Sequence, residues 1–190
     1  VEDMFKKNYN KISERAAYFW DTNEILKSKK EWHIFLNKLK DGKISKAYIQ
    51  FPYKIEEGVN WIEKKRVFFK FISYLLKNGL KVEFLDGYKG FALEPFHKNI
   101  LRQIRILKYF WNENFPSFPF PTIHLDIEPY LLKFYNNLSY KEIYGEYIIL
   151  LKKIKENFPE VKLNLDIPFW LDNLDKEILK EIIKYCDGIT

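Results

Sequence analysis

Hydrophobic positions along the chain switch between a period of two and a period near 3.6, and the switching predicts strands alternating with helices. Ala16-Ala-Tyr-Phe-Trp-Asp21 reads as a short strand, after which Ile25, Trp32, Phe35, Leu36 and Leu39 recur at helical spacing until Asp41-Gly42. Ser45 to Phe51 is strand-like, Asn60 with Glu63 resembles a capping pair, and a helix rich in Phe and Leu runs to the stop signal Asn78-Gly79. Leu80 to Asp86 gives a third strand, and Ile100, Ile104, Leu107 and Trp111 stripe a third helix. The proline-rich run Phe115 to Pro121 breaks the chain before a fourth strand. Ser139-Tyr-Lys-Glu142 is a capping box opening a helix with Ile143, Tyr147, Leu150, Leu151, Ile154 and Phe158 on one face. Val161 to Ile167 is the fifth strand, and Asp175 starts a helix carrying Ile178, Leu179, Ile182 and Ile183. Asp187-Gly-Ile-Thr190 looks like the opening of a sixth strand.

The fourth strand organises the rest. In Thr122-Ile-His-Leu-Asp-Ile-Glu-Pro-Tyr130, apolar Ile123, Leu125 and Ile127 alternate with His124, Asp126 and Glu128. A face holding an imidazole and two carboxylates cannot enter an apolar core unless every charge is paired. It therefore lines a polar cavity or meets water, as one face of many sheets does.

Strands alternating with helices argue for parallel βαβ units joined by right-handed crossovers. A doubly wound sheet and a (β/α)8 barrel both fit, but the first turn, Trp20-Asp-Thr-Asn-Glu24, lacks the glycines of a nucleotide-binding turn. The inward polar face of the fourth strand suits a barrel lumen better than a sheet covered on both sides. The expected fold is thus an α/β (β/α)8 (TIM) barrel. Such a barrel takes eight strands and about 250 residues, so the chain reads as a single barrel domain over 1–190, cut short after the start of the sixth strand. On this reading the 190 residues alone have little activity.

Composition narrows the class without naming a reaction. At 47% hydrophobic and 31% charged, 190 residues make a globular domain with one sizeable core. The net charge of +6 is spread over nearly every segment, as lysines at outward helix positions produce, so a nucleic-acid partner is not expected. Cys186 is the only cysteine, which excludes an intrachain disulfide. No apolar run is long enough for a membrane span. Val-Glu-Asp-Met-Phe-Lys-Lys does not read as a signal peptide, yet a chain beginning with Val can have lost one, which leaves a secreted or periplasmic location open. Oligomeric state is not legible.

In such a barrel the active site forms at the carboxyl ends of the strands. Those ends are Trp20-Asp21, Phe51-Pro-Tyr53, Asp86-Gly-Tyr88, Asp126-Ile-Glu-Pro-Tyr130 and Asp166-Ile-Pro-Phe-Trp170. Asp21 also fits a helix cap with Glu24, and Asp86 before Gly87 is a common turn pair. Asp166 shares a strand face with Asn164, opposite Leu163, Leu165 and Ile167. Carboxylates accept hydrogen bonds from sugar hydroxyls, while Trp and Tyr cover the C–H faces of a pyranose. A carbohydrate is therefore the expected substrate, contacted by Asp21, Trp20, Asp86, His124, Tyr130, Asp166 and Trp170, with no cofactor.

Tyr18-Phe-Trp-Asp-Thr22 followed by a helix, together with Ile123 to Tyr130, resembles a group of largely uncharacterised barrel proteins classed as glycoside-hydrolase-like. Asp126-x-Glu128 is also similar to the end of the D-x-x-D-x-D-x-E signature of family-18 chitinases. His124 stands where that signature has its middle Asp, and Phe120 or Pro121 where its first would be. The resemblance implies hydrolysis of glycosidic bonds, with Glu128 as general acid and Asp126 as the carboxylate that orients and charges it. An acid working near neutral pH needs a raised pKa, which burial beside Asp126 would supply. The second catalytic carboxylate is Asp126, Asp166 or a group on a later strand. Two other readings remain: a metal-dependent hydrolase using His124, Asp126 and Glu128 as ligands, and a carbohydrate-binding barrel without turnover. His33 and His97 fall on expected helices. His124, Asp126 and Glu128 are expected to point into the barrel, with Tyr130 and Trp170 beside the same cavity.

Overall fold

The computed structural model describes residues 14–52, 61–132 and 137–190. Tyr53, the Asn60–Glu63 capping pair and the first residues of the chain lie outside the described residues and side chains. Six strands, β1 (Ala16–Phe19), β2 (Lys46–Gln50), β3 (Lys81–Asp86), β4 (Ile123–Leu125), β5 (Leu163–Leu165) and β6 (Gly188–Ile189), form one sheet. They pair in chain order, every pair parallel. A doubly wound sheet reverses its strand order at a switch point; this one never does.

Helices fill each crossover. In chain order they are α1 (Thr22–Ile25), α2 (Lys29–Asp41), α3 (Trp61–Lys77), α4 (His97–Asn114), α5 (Tyr140–Asn157), α6 (Leu171–Leu174) and α7 (Lys176–Ile183). Their ends follow local chemistry. Ser139 accepts from the Glu142 N–H and Glu142 reaches back to the Ser139 N–H, completing the capping box. Asp175 accepts from Glu177 and Ile178, and Gly79 takes the left-handed φ of 80° after α3. The predicted Asp21–Glu24 box does not form: the Asp21 side chain caps nothing, and Glu24 pairs with Lys27 instead.

The apolar face of the sheet carries Ala47, Ile49, Phe84, Ile123, Leu125, Leu163 and Leu165, all essentially buried. They pack under Phe68, Phe71 and Ile72 of α3, Ile104, Leu107 and Phe110 of α4, and Leu150, Leu151 and Ile154 of α5. The core therefore sits between sheet and helices, and Ile127 joins it at 2% exposure.

The other face is concave. Neighbouring strands lie about 4.8 Å apart, so β1 and β5 would stand about 19 Å apart in a flat sheet. Yet the Tyr18 hydroxyl of β1 donates to Asp166, just past β5, at 2.9 Å. Tyr48 of β2 likewise stacks on His124 of β4 with ring centroids 4.1 Å apart. These contacts exist only because the sheet curls into a half-barrel with helices on its convex side.

The strands are shorter than the alternation predicts. β4 stops at Leu125, and Pro129–Leu132 forms a 3₁₀ turn, since Pro129 has no N–H to give a ladder. One further rung survives on each side, from the Asp126 N–H to the Asp86 carbonyl at 2.9 Å and from the Asp166 N–H to the Leu125 carbonyl at 3.0 Å. Asp126 and Glu128 thus leave the strand end on a loop that keeps the inward and outward alternation of the sheet.

Candidate active site

Strand register decides which side chains meet in the concavity. His124 aligns with Asn164, and Tyr18 with Tyr48 and Glu83. His124, with no exposed surface, lies between two carboxylates: Nε2 is 3.0 Å from Asp166 Oδ1 and Nδ1 is 3.4 Å from Glu83 Oε2. The second distance is that of an ion pair without an aligned hydrogen bond. Burial alone would lower the His124 pKa, but its two carboxylate partners outweigh it and raise the pKa to about 9. The imidazole is therefore a cation at neutral pH. Glu83 accepts from Asn164 Nδ2 at 3.1 Å and pairs with Lys46 at 3.0 Å, and Lys46 continues to Glu14 at 2.8 Å. Burial would raise the Glu83 carboxyl, yet its pairing with the His124 and Lys46 cations holds it below the usual range.

This network carries charge up to the mouth. Asp166 receives both His124 and the Tyr18 hydroxyl. It then lines a cavity of about 160 Å³ together with Asp126, Glu128, Tyr130 and Pro168. Burial, then the negative charges of Asp166 and Glu128, raise the Asp126 pKa to about 6 against the opposing pull of His124. Tyr130 donates its hydroxyl to Glu128 Oε1, and its ring meets Trp170 edge-on at 5.2 Å. Burial and the Glu128 bond push the Tyr130 phenol up to about 12, so it stays a donor.

Trp20, Asp21 and Asp86 gather elsewhere on the mouth. They border a second cavity of about 560 Å³ at the ends of β1 to β3, with Gln50, Tyr88 and Gln103. Asp21 is exposed there. Asp86 has the parity of Phe84, on the helix side, and accepts from the Gly87 N–H at 2.8 Å. Gly87 joins the two cavities, because a Cβ placed there would run into the Asp126 carbonyl oxygen and lie 2.7 Å from Trp20 Cη2. A Gly87→Ala variant should therefore displace Trp20 or the Asp126 loop and lose about 1–3 kcal/mol of stability, read by thermal unfolding; an unchanged melting temperature would show that the gap at Gly87 is not needed.

Of the residues singled out from the sequence, Asp126, Glu128, Tyr130 and Asp166 line one cavity, whereas Trp170 packs partly against the core and reaches that cavity only through its ring contact with Tyr130. His124 lies deeper than expected, touching the mouth only through Asp166. Its nitrogens face Glu83 and Asp166 rather than turning with Asp126 and Glu128 toward a shared ion. Among the described residues no group of three His, Cys, Asp or Glu side chains is arranged to hold a metal. Glu83, Lys46 and Tyr48 escaped notice, although polar Lys81 and Glu83 alternate with Val82 and Phe84 just as the fourth strand does.

No family model matches the chain, and a comparison with curated proteins found no match. Among solved structures, the crystal structure of the GH39 enzyme from Xanthomonas axonopodis pv. citri is similar at a TM-score of 0.54 and 11% sequence identity. The likeness covers 92% of this chain and 39% of that one, and at this identity it speaks to the fold alone. The parallel half-barrel thus shares its arrangement of strands and helices with part of that enzyme's fold.

Proposed function

We propose that the chain belongs to a (β/α)8 barrel that hydrolyses glycosidic bonds, with the Asp126–Glu128 pair as its acid–base unit. The observation that carries the reading is the cluster of Asp126, Glu128 and Asp166 on one cavity, with the Asp126 pKa raised to about 6. Asp126 therefore keeps its proton to a higher pH than an ordinary aspartate. Glu128, gripped by Tyr130 beside Trp170, is the proton donor to the leaving glycosidic oxygen. Asp166, held by Tyr18 and His124, is the second carboxylate and serves as base or nucleophile. Trp170 and Tyr130 supply the aromatic surface for a sugar ring, and the larger cavity at Trp20, Asp21 and Asp86 accepts the neighbouring sugar units. The GH39 enzyme lends support as a neighbour in fold, an analogy that raises the prior and assigns no residue.

The test is hydrolysis of a panel of aryl glycosides and polysaccharides by the wild-type protein in its full native length and by Glu128→Gln in the same chain. Turnover in the wild type, and sugar binding without turnover in the variant, is the expected result. Equal turnover in both would remove Glu128 from the chemistry, and binding with no turnover in either would make the barrel a carbohydrate-binding module.

A further inference from the structure

A cavity of about 580 Å³ lies outside the concave site, walled by α2, α3 and the end of α4. It shares no lining residue with either cavity at the mouth. Its volume falls within the range of small-molecule sites. Lys29, Lys70 and Lys77 stand around it, and no described carboxylate lines it. Surface lysines in this fold commonly sit beside a carboxylate, as Lys65 does with Glu113 and Lys155 with Asp187. Here three ammonium groups share one concavity with no neutralising charge among the described residues.

The floor is aromatic. Trp32, Phe69 and Phe115 line it, each at least nine-tenths buried. The indole N–H of Trp32 is buried with no acceptor among the described residues. A buried donor without an acceptor is rare in native structures, and it lies on the residue whose ring floors the cleft. His33 Nδ1 and the Tyr74 hydroxyl share one hydrogen bond of 2.8 Å at the rim, leaving His33 Nε2 as a further polar contact.

We infer that this cleft binds a small organic anion, its charged group among Lys29, Lys70 and Lys77 and its apolar body against Trp32 and Phe115. Lysine ammonium groups act as point charges toward phosphate or carboxylate. A neutral sugar would leave three like charges uncompensated, which separates this cleft from the mouth. The inference stands independently of the chemistry proposed at Glu128.

The five tryptophans give five indole N–H signals in a nitrogen-15 spectrum, and Trp32→Phe identifies the one in the cleft. Phenyl phosphate and benzoate are the anionic probes, and benzyl alcohol and glucose the neutral ones. The Trp32 signal should move saturably with at least one anionic probe, at a Kd of about 1 mM or tighter, and the tighter probe identifies the charged group. Neither neutral probe should move it. Added salt should weaken the binding, and a Lys70→Gln/Lys77→Gln double variant, altered only at exposed positions, should bind at least about tenfold less tightly. A Trp32 signal unmoved by both anions would overturn the inference. So would equal response to benzyl alcohol, or undiminished affinity in the double variant.

Discussion

Replacing His124 with alanine should destabilise the protein by about 3–5 kcal/mol, the cost of leaving buried charges without their partner. Glu83 and Asp166 would face each other across the space that the imidazolium fills, and Tyr48 would lose the ring stacked on it at 4.1 Å. The same residue should give the wild type an alkaline limit. Its folded pKa of about 9 stands above the ordinary value of 6.5, so its stabilisation is complete below pH 6.5 and disappears as pH rises through 9. Each pH unit of that gap is worth about 1.36 kcal/mol, which makes the loss about 3 kcal/mol in all. Denaturant unfolding between pH 6 and 10 measures it, and His124→Gln, which cannot titrate, should show a flatter curve over that window. A wild-type curve as flat as the variant's would mean that His124 is not the buried cation described.

The second large effect is on turnover. A positioned general acid contributes typically 10²–10⁴-fold, so Glu128→Gln should lower kcat by that order while KM for a sugar substrate changes little. Asp126→Asn should do comparable damage and also alter the pH dependence, since Asp126 is the member of the pair raised to about 6. The wild-type kcat/KM should fall on the alkaline side of that value as Asp126 loses its proton. A Glu128→Gln enzyme retaining more than a tenth of the wild-type kcat would exclude Glu128 as the proton donor.

Much of the fold was legible because periodicity records which side of a strand or helix is buried. Ser139, Glu142 and Asp175 announced helix starts that form through the expected hydrogen bonds. The alternation in Ile123 to Glu128 identified the inward set, although the strand ends at Leu125 and the pattern continues on a loop held by single rungs to β3 and β5. What a strand pattern does not contain is curvature. Nothing local says that Tyr18 meets Asp166, or that Lys46 reaches Glu83, because those contacts depend on register across the sheet and on how tightly it curls. For the same reason His124 read as a side chain at the mouth, whereas it is sealed beneath Tyr18 and Tyr48. Asp86 shows the complementary difficulty: its parity places it on the helix side, and only the turn at Gly87 brings its carboxylate toward the Trp20 cavity.

The proposed chemistry depends on Asp126 holding a proton near neutral pH, and the carboxyl carbon shifts of carbon-13-labelled aspartate report that directly. Asp126 should titrate with a midpoint of about 6, and the midpoint should fall in Asp166→Asn and in Glu128→Gln, because each removes a negative neighbour that raises it. A midpoint near the ordinary 3.8, unmoved by either substitution, would contradict the account of this cavity as an acid–base site.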